Sequence, residues 1–251
     1  MDDSVINNDV MYGCQVPRAK NPEVGDRMLE AAARVLAEEG PAAVTARRLA
    51  AEVGASTMAV YTHFGSMDEL LVRLWRLGFT RFGEALDGPS VTGDPVADWA
   101  TQGWAYRRFA HGNRHLYRVM FDDGLVASKV DQPADQEAAM ATFVSLLTRL
   151  QRCADAGRWV IDDVQLAGEA VWAGVHGAVS IEFTGYFRDV GRDAEAAYAE
   201  TMRRLALGFG DDARAVARSL AVAQRRARRV SSRSDQRSVS VDPSAQAVST
   251  S

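Results

Sequence analysis

Cysteine is scarce in this chain of 251 residues, and the two present, Cys14 and Cys153, lie far apart. That spacing offers neither a disulfide framework nor the paired thiols of a zinc cluster. The chain also lacks a run of about 20 apolar residues, the length that a membrane-spanning helix needs. Its acidic start, Met1-Asp2-Asp3, is not the start of a secretory signal. We therefore predict a cytoplasmic protein with no membrane partner.

Proline is the second scarce residue, with seven in the whole chain. Few helix breakers combined with many alanines favour helices over strands. Hydrophobic residues make up 47% of the sequence, and this fraction is enough to bury a core. The composition predicts an all-α fold.

Positive charge is in short supply overall, since the net charge is −4, but it is unevenly distributed. Residues 18–82 hold nine basic and eight acidic side chains, whereas residues 83–213 hold twelve and twenty. The tail, residues 214–251, holds eight basic and two acidic side chains. An acidic middle would repel phosphate, so any contact with DNA must come from the N-terminal segment or the tail.

Capping residues and helix breakers divide the chain into helices. Asn21-Pro22 starts the first helix and Gly40-Pro41 ends it. Ser66 and Glu69 form a capping box that opens a longer helix. Further helices are predicted near 95–110, 114–121, 134–156, 162–187 and 193–209, with an extension of the last through 211–229 as an alternative.

Two short helices joined by Gly54-Ala55 are the most informative pattern in the sequence. Residues 46–53 form the first, and Ser56 caps the second, which runs to His63. Two apolar-faced helices with a tight glycine turn are the physical description of a helix-turn-helix. The second helix of that unit lies in the major groove of duplex DNA. A helical bundle without DNA contacts is the plainer alternative.

The outward face of this second helix carries small or hydrogen-bonding side chains, which suit base edges. Arginines at the start of the preceding helix can reach guanine or phosphate, and tyrosine and histidine can bond phosphate. The residues predicted to contact DNA on these grounds are Arg47, Arg48, Thr57, Met58, Ala59, Tyr61, Thr62 and His63.

The stretch from Met28 to about Phe82 resembles the tetracycline-repressor (TetR) family. The resemblance rests on Arg48-Leu49-Ala50, Val53-Gly54, Val60-Tyr61, His63-Phe64 and Glu69-Leu70-Leu71. It implies a sequence-specific transcriptional regulator, a repressor that a small molecule releases from a palindromic operator. It adds Thr45 to the DNA-contacting set, in which we also include the cap Ser56. One departure is Met67, where the family usually has a phosphate-binding lysine.

A second resemblance covers much of residues 95–187. Trp172, His176 and Gly177 match the signature of the WHG class of TetR C-terminal domains, and residues 115–121 also resemble that class. The class implies a regulator without specifying its ligand.

The predicted helix that contains Trp172 and His176 has a face of small residues, which let a second helix approach closely. We predict that this helix and the next pair with their copies in a four-helix homodimer interface. Two-fold symmetry would then set the two recognition helices about 34 Å apart, one turn of DNA. The predicted interface residues are Ala170, Gly174, Gly177, Ala178 and Gly185.

Aromatic residues of the C-terminal half could line a pocket for a small apolar or amphipathic effector. The alternative, which stays open for each of these residues, is that they fill an ordinary core. The predicted ligand-binding residues are Trp104, Arg108, Tyr117, Phe121, Phe143, Trp172, His176 and Phe183.

Other chemistries find little support in the sequence. His111 and His115 are four residues apart, but no third metal ligand has a clear position. Phosphate-binding glycine loops and nucleophile elbows are absent from the sequence, so neither an enzyme nor a cofactor is expected. Besides a DNA-binding regulator and an enzyme, the third functional class that stays open is a module that binds only a partner protein. The arginine-rich tail is either a solvated segment or a source of phosphate attraction.

The predicted domains are a flexible arm (1–20), a helix-turn-helix DNA-binding domain (21–67), a connecting helix (68–88), a ligand-binding and dimerisation domain (89–229) and a disordered tail (230–251).

Overall fold

A computed structural model describes residues 22–121, 126, 130 and 133–239. The predicted arm (1–20) and the last part of the predicted tail (240–251) lie outside the described residues. Within the described ranges the secondary structure is helical throughout, with no strand, which confirms the prediction of an all-α fold. None of the described helices combines the length and the apolar character that crossing a membrane requires.

Three helices form the N-terminal unit: α1 (Pro22–Glu39), α2 (Ala46–Val53) and α3 (Thr57–Phe64). A single 3-10 turn, Pro41–Ala43, separates α1 from α2. The three helices share one core because each has apolar residues at helical spacing on one side. The fully buried members of that core include Met28, Leu36, Leu49 and Val60.

The predicted caps are present at both short helices. The Thr45 hydroxyl accepts a hydrogen bond from the Arg48 backbone N–H at 3.2 Å, and the Ser56 hydroxyl accepts one from Ala59 N–H at 3.2 Å. Gly54 ends α2 in the left-handed region, at φ 68°, where a side chain would be strained. These local interactions fix the angle between α2 and α3.

Helix α4 (Met67–Asp87) leaves the N-terminal unit and runs into the C-terminal domain. It packs against α1 and α3 as well as against C-terminal helices. The remaining helices are α5 (Pro95–Gly112), α6 (Arg114–Phe121), α7 (Pro133–Asp155), α8 (Val164–Thr184), α9 (Tyr186–Asp189), α10 (Ala194–Gly208) and α11 (Ala213–Val239).

Two boundaries differ from the predicted ones. The helix predicted over 162–187 is broken at Gly185, whose φ of 83° caps α8 before the short α9 begins. The disorder predicted from residue 230 onward is wrong for residues 230–239, which prolong α11 to Val239. Adding a turn to an established helix costs far less than starting one, and α11 is already docked through its apolar residues before that point.

A buried carboxylate fastens α11 to α5. The Asp98 side chain is 0% exposed and accepts hydrogen bonds from the guanidinium groups of Arg152 at 3.0 Å and Arg226 at 2.9 Å. The backbone N–H of Thr92 donates to the same carboxylate at 2.7 Å. A charge in such a place is tolerable only when it is paired and hydrogen-bonded. One arginine of the basic tail, Arg226, therefore has a structural partner.

Candidate DNA-binding surface and ligand cavity

The outer face of α3 is open to solvent. Met58 is 70% exposed and Tyr61 is 46% exposed, and Thr57 is exposed beside them. On the inner face, Val60 and Phe64 are buried. A short helix with a buried apolar side and an exposed side of this size and polarity can enter a major groove.

The two arginines of α2 have different surroundings. Arg47 is exposed. Arg48 is engaged within the chain, because its guanidinium lies 2.8 Å from the Glu39 carboxylate and 2.9 Å from that of Glu52. The hydrogen bond to Glu52 and the charge of Glu39 raise the pKa of Arg48. To contact phosphate, Arg48 would have to give up these partners.

Three further predicted contacts also have roles inside the domain. The Thr62 hydroxyl donates to the Met58 carbonyl at 2.9 Å, and Ala59 is half-buried. His63 is half-buried against α1, where a Cβ on Gly25 would come within 3.1 Å of its Nδ1. These residues, together with the caps Thr45 and Ser56, hold the shape of the surface; their contact with DNA stays a prediction.

We expect Arg47→Gln to weaken DNA binding more than Arg48→Gln. Each phosphate contact that is lost lowers the slope of log affinity against log salt concentration by about 0.9. Arg47 is the more available of the two, so its replacement should reduce the slope, whereas that of Arg48 should leave it nearly unchanged. Fluorescence anisotropy over a salt series measures both slopes, and equal reductions would contradict the difference.

A large cavity of about 670 Å³ lies among α4, α5, α6, α7, α8 and α10. It brings together four of the eight predicted ligand-binding residues, Phe121, Phe143, Trp172 and His176. The volume falls within the range of small-molecule sites. Aromatic and aliphatic side chains dominate its wall, which also includes Trp75, Phe79, Phe82, Trp99, Gln102, Tyr106, Met120 and Ala139.

A hydrogen-bonded trio supplies polarity to this wall. The hydroxyls of Tyr106 and Tyr117 are 2.7 Å apart, and they lie 3.0 and 2.7 Å from Nδ1 of His176. Burial raises the pKa of both tyrosines and lowers the pKa of His176. The trio is therefore uncharged at neutral pH, and its three polar atoms satisfy one another by hydrogen bonds.

The other predicted ligand residues lie elsewhere. Trp104 is buried with its ring 5.2 Å from that of Tyr198, and Arg108 is half-buried outside the large cavity. Tyr117 and Phe183 line a smaller neighbouring cleft. The sequence reasoning missed Tyr106 and Gln102, although Trp99, Gln102, Gly103 and Tyr106 follow the 3–4–7 spacing of one helix face.

The predicted dimer residues of α8 do not share one environment. Ala170 is exposed, Ala178 is half-buried, and nothing lies within 4 Å of a Cβ placed on Gly177. Gly174 instead faces α10 of the same chain, since a Cβ there would lie 3.3 Å from Leu205. Gly185 is the left-handed C-cap. An apolar exposed stripe does follow α8, and it comprises Leu166, Ala170, Ala173 and Ile181.

Helix α6 joins the cavity to the DNA-binding unit. Its residues Met120 and Phe121 line the cavity. The indole N–H of Trp75 in α4 donates to the Met120 carbonyl at 3.1 Å. At the other end of α6, His115 Nδ1 donates to the carbonyl of Leu36 in α1 at 2.6 Å.

Comparisons with known proteins agree with this architecture. Residues 28–74 match the family model for bacterial regulatory proteins of the tetR family. Residues 99–205 match the model for the tetracyclin repressor-like C-terminal domain. The finer WHG class stays a prediction. No curated protein sequence matches the chain.

Several solved structures share the fold. A protein of unknown function from Rhodococcus sp. RHA1 is 22% identical, with a TM-score of 0.65 over 74% of this chain and 95% of its own. RolR in complex with resorcinol is 18% identical, with a TM-score of 0.56 over 81% and 94%. A gamma-butyrolactone receptor, an ArpA-like protein, is 16% identical, with a TM-score of 0.56 over 83% and 98%. Because the two matching family models together span more than half of the sequence, the chain belongs to the TetR family of bacterial transcriptional regulators.

Proposed function

We propose that the protein is a cytoplasmic repressor that a small molecule releases from operator DNA. The observation that carries this is the position of α6, which lines the large cavity with Met120 and Phe121 and bonds to α1 through His115. A ligand that displaces α6 would move both α1 and α4, because Trp75 of α4 is bonded to the same helix. The cavity and the DNA-binding surface are thus physically connected.

The operator would be palindromic and the protein a homodimer. The exposed stripe on α8, with Leu166 63% exposed and Ile181 45% exposed, supports a partner of the same kind, because large apolar side chains are costly in water. Two copies related by a two-fold axis would place their α3 helices in successive major grooves.

The ligand of the large cavity would be uncharged. The charged side chain on its wall is that of Glu169, which is exposed at the rim, and no arginine or lysine is among the described lining residues. Burying an unpaired carboxylate there would be costly. Tyr106, His176 and Gln102 instead suit hydroxyl or carbonyl groups. Among proteins of similar fold, RolR is bound to the neutral diphenol resorcinol, and another is a gamma-butyrolactone receptor.

Release needs only a modest energetic difference between two conformations. The ligand must bind the conformation with misplaced α3 helices more tightly than the one that fits DNA. A hundredfold loss of operator affinity corresponds to about 2.7 kcal/mol of coupling.

A mobility-shift assay with the DNA upstream of the protein's own gene tests this proposal. We expect retardation by a dimer, and reversal by a neutral phenol or lactone from a panel that includes resorcinol and γ-butyrolactone. Ala139→Phe, which places a ring in the large cavity, should retain DNA binding and lose the response. The proposal fails if no upstream DNA is retarded or if light scattering finds a monomer on the DNA.

A further inference from the structure

A glutamine in the wall of the large cavity keeps one amide atom without a partner. Gln102 of α5 is 4% exposed, and its Nε2 donates to the Ser145 hydroxyl at 2.8 Å. Its Oε1 accepts no hydrogen bond from a described residue. We propose that Gln102 Oε1 accepts a hydrogen bond from a ligand hydroxyl, so that the cavity selects a phenol over a neutral compound without a donor. This inference rests on the proposed function, because it narrows the ligand class of the same cavity.

The partners of Ser145 decide which way the Gln102 amide points. Ser145 Oγ lies 2.6 Å from Oδ1 of Asp87, the last residue of α4. A carboxylate only accepts hydrogen bonds, so the Ser145 hydroxyl donates its proton to Asp87. The Ser145 oxygen can then only accept from Gln102, which turns Nε2 towards Ser145. Oε1 is thereby the amide atom that is left for a ligand.

The other oxygen-bearing side chains among the described lining residues are already engaged or lie at the rim. Thr142 donates its hydroxyl to the Ala139 carbonyl at 2.7 Å, and the hydroxyl of Tyr106 belongs to the hydrogen-bonded trio. The exposed ones at the rim are Gln136, Gln165 and Glu169. Among these oxygens, Oε1 of Gln102 is the buried one that still needs a donor.

Aromatic surfaces flank this oxygen. Trp99 and Tyr106 lie three residues before and four residues after Gln102, so the three side chains share one face of α5 and line the cavity together. A flat ring fits beside such surfaces, and a hydroxyl on that ring supplies the donor that the amide lacks. A ligand without a donor would displace water and leave Oε1 unpaired in apolar surroundings, and a polar group buried in this way is costly.

A matched pair of small rings, 4-fluorophenol and 4-fluoroanisole, tests this selectivity by fluorine NMR on the full-length protein without DNA. Both compounds are neutral near neutral pH, and the ether carries a methyl group where the phenol has its hydroxyl hydrogen. We expect the phenol to bind at least about tenfold more tightly than the ether. Gln102→Leu, which removes the amide at a similar side-chain size, should lower this preference to about threefold or less.

Two further variants separate the orientation of the amide from the general polarity of the wall. Ser145→Ala keeps Gln102 but releases its Nε2, so the amide can turn and the preference for the phenol should fall towards the value of Gln102→Leu. Thr142→Val is the matched control, because it removes a hydroxyl of the same wall that is bonded to its own helix. It should therefore keep the full preference for the phenol.

Circular dichroism melting curves establish that each variant is folded, and Ser145→Ala carries the test alone if Gln102→Leu does not fold. The proposal is overturned if 4-fluorophenol does not bind, if the ether binds as tightly as the phenol, or if the folded Gln102 and Ser145 variants keep the full preference. The NMR measurement does not involve DNA. Selective phenol binding without release from operator DNA would therefore count against the proposed repressor mechanism and leave the Gln102 site standing.

Discussion

Replacement of Tyr61 by alanine is expected to weaken binding to the operator at least about a hundredfold while leaving the fold intact. The Tyr61 side chain is 46% exposed on the outer face of α3, so its removal creates no cavity in the core. A hydrogen bond to a charged phosphate contributes about 1.5–3 kcal/mol. Two copies in a dimer would together lose about 3 kcal/mol or more, which is a hundredfold or greater loss of affinity.

Fluorescence anisotropy with labelled operator DNA measures this loss, and a thermal melt followed by circular dichroism measures the fold. Tyr61→Phe separates the hydroxyl from the ring and should show most of the loss if the hydroxyl bonds phosphate. Ala37→Ser, at an exposed position of α1, serves as the control in the same domain. Operator binding by Tyr61→Ala at the level of the unaltered protein would remove α3 as the reading helix.

Asp98→Ala is expected to lower the free energy of unfolding by about 3 kcal/mol, a typical cost of removing one partner from a buried ion pair. Its carboxylate is fully buried and is shared by Arg152 and Arg226, whose own side chains are 31% and 22% exposed. Loss of the carboxylate leaves the Thr92 N–H without its acceptor and two neighbouring cations without their counter-charge, although both arginines keep a bond to a backbone carbonyl. Urea unfolding measures the change, and Asp162→Ala, at an exposed position, is the control. Equal stability of the two variants would show that the buried carboxylate contributes nothing net.

The same group makes stability depend on pH. Burial raises the pKa of Asp98, but the hydrogen bonds from Thr92, Arg226 and Arg152 outweigh burial and hold it below its usual value. A carboxyl group with a lowered folded pKa contributes stability above the unfolded value of about 3.9 and loses it as pH falls. Asp98→Asn should therefore flatten the acid limb of the stability profile. A limb as steep as that of the unaltered protein would count against this assignment.

Local features of the fold were predictable because they depend on residues close in sequence. Thr45 and Ser56 each cap the helix that follows, by accepting a hydrogen bond from the backbone N–H three residues later. Such patterns can be read directly from the sequence. The pairing of Arg48 with Glu39 could not be read in this way, because it requires α1 and α2 to pack first. For the same reason, a sequence cannot tell whether an arginine near a DNA-reading helix is available to phosphate.

The sequence predicted that aromatic residues would line a cavity, but only half of the residues it named line the large cavity. Phe121, Phe143, Trp172 and His176 were expected and line it, whereas Tyr106 was missed. Helical spacing identifies the inward face of one helix, but six helices line this cavity, and their relative rotation decides which inward residues reach it. Trp104 illustrates the point, since it faces inward on α5 and yet packs on Tyr198.

The ion pair between Asp98 and Arg226 joins residues 128 positions apart in the sequence, and this separation has a consequence for synthesis on the ribosome. Helices α1–α3 find their partners among close neighbours and can assemble early, because domains form from the N-terminus as the chain emerges. Helix α5 must wait for α11, so part of its apolar surface stays uncovered, and its carboxylate lacks one of its two arginine partners, until translation is almost complete. Nascent chains halted before codon 226 should consequently contain a folded N-terminal unit attached to an incomplete C-terminal domain that is prone to aggregate.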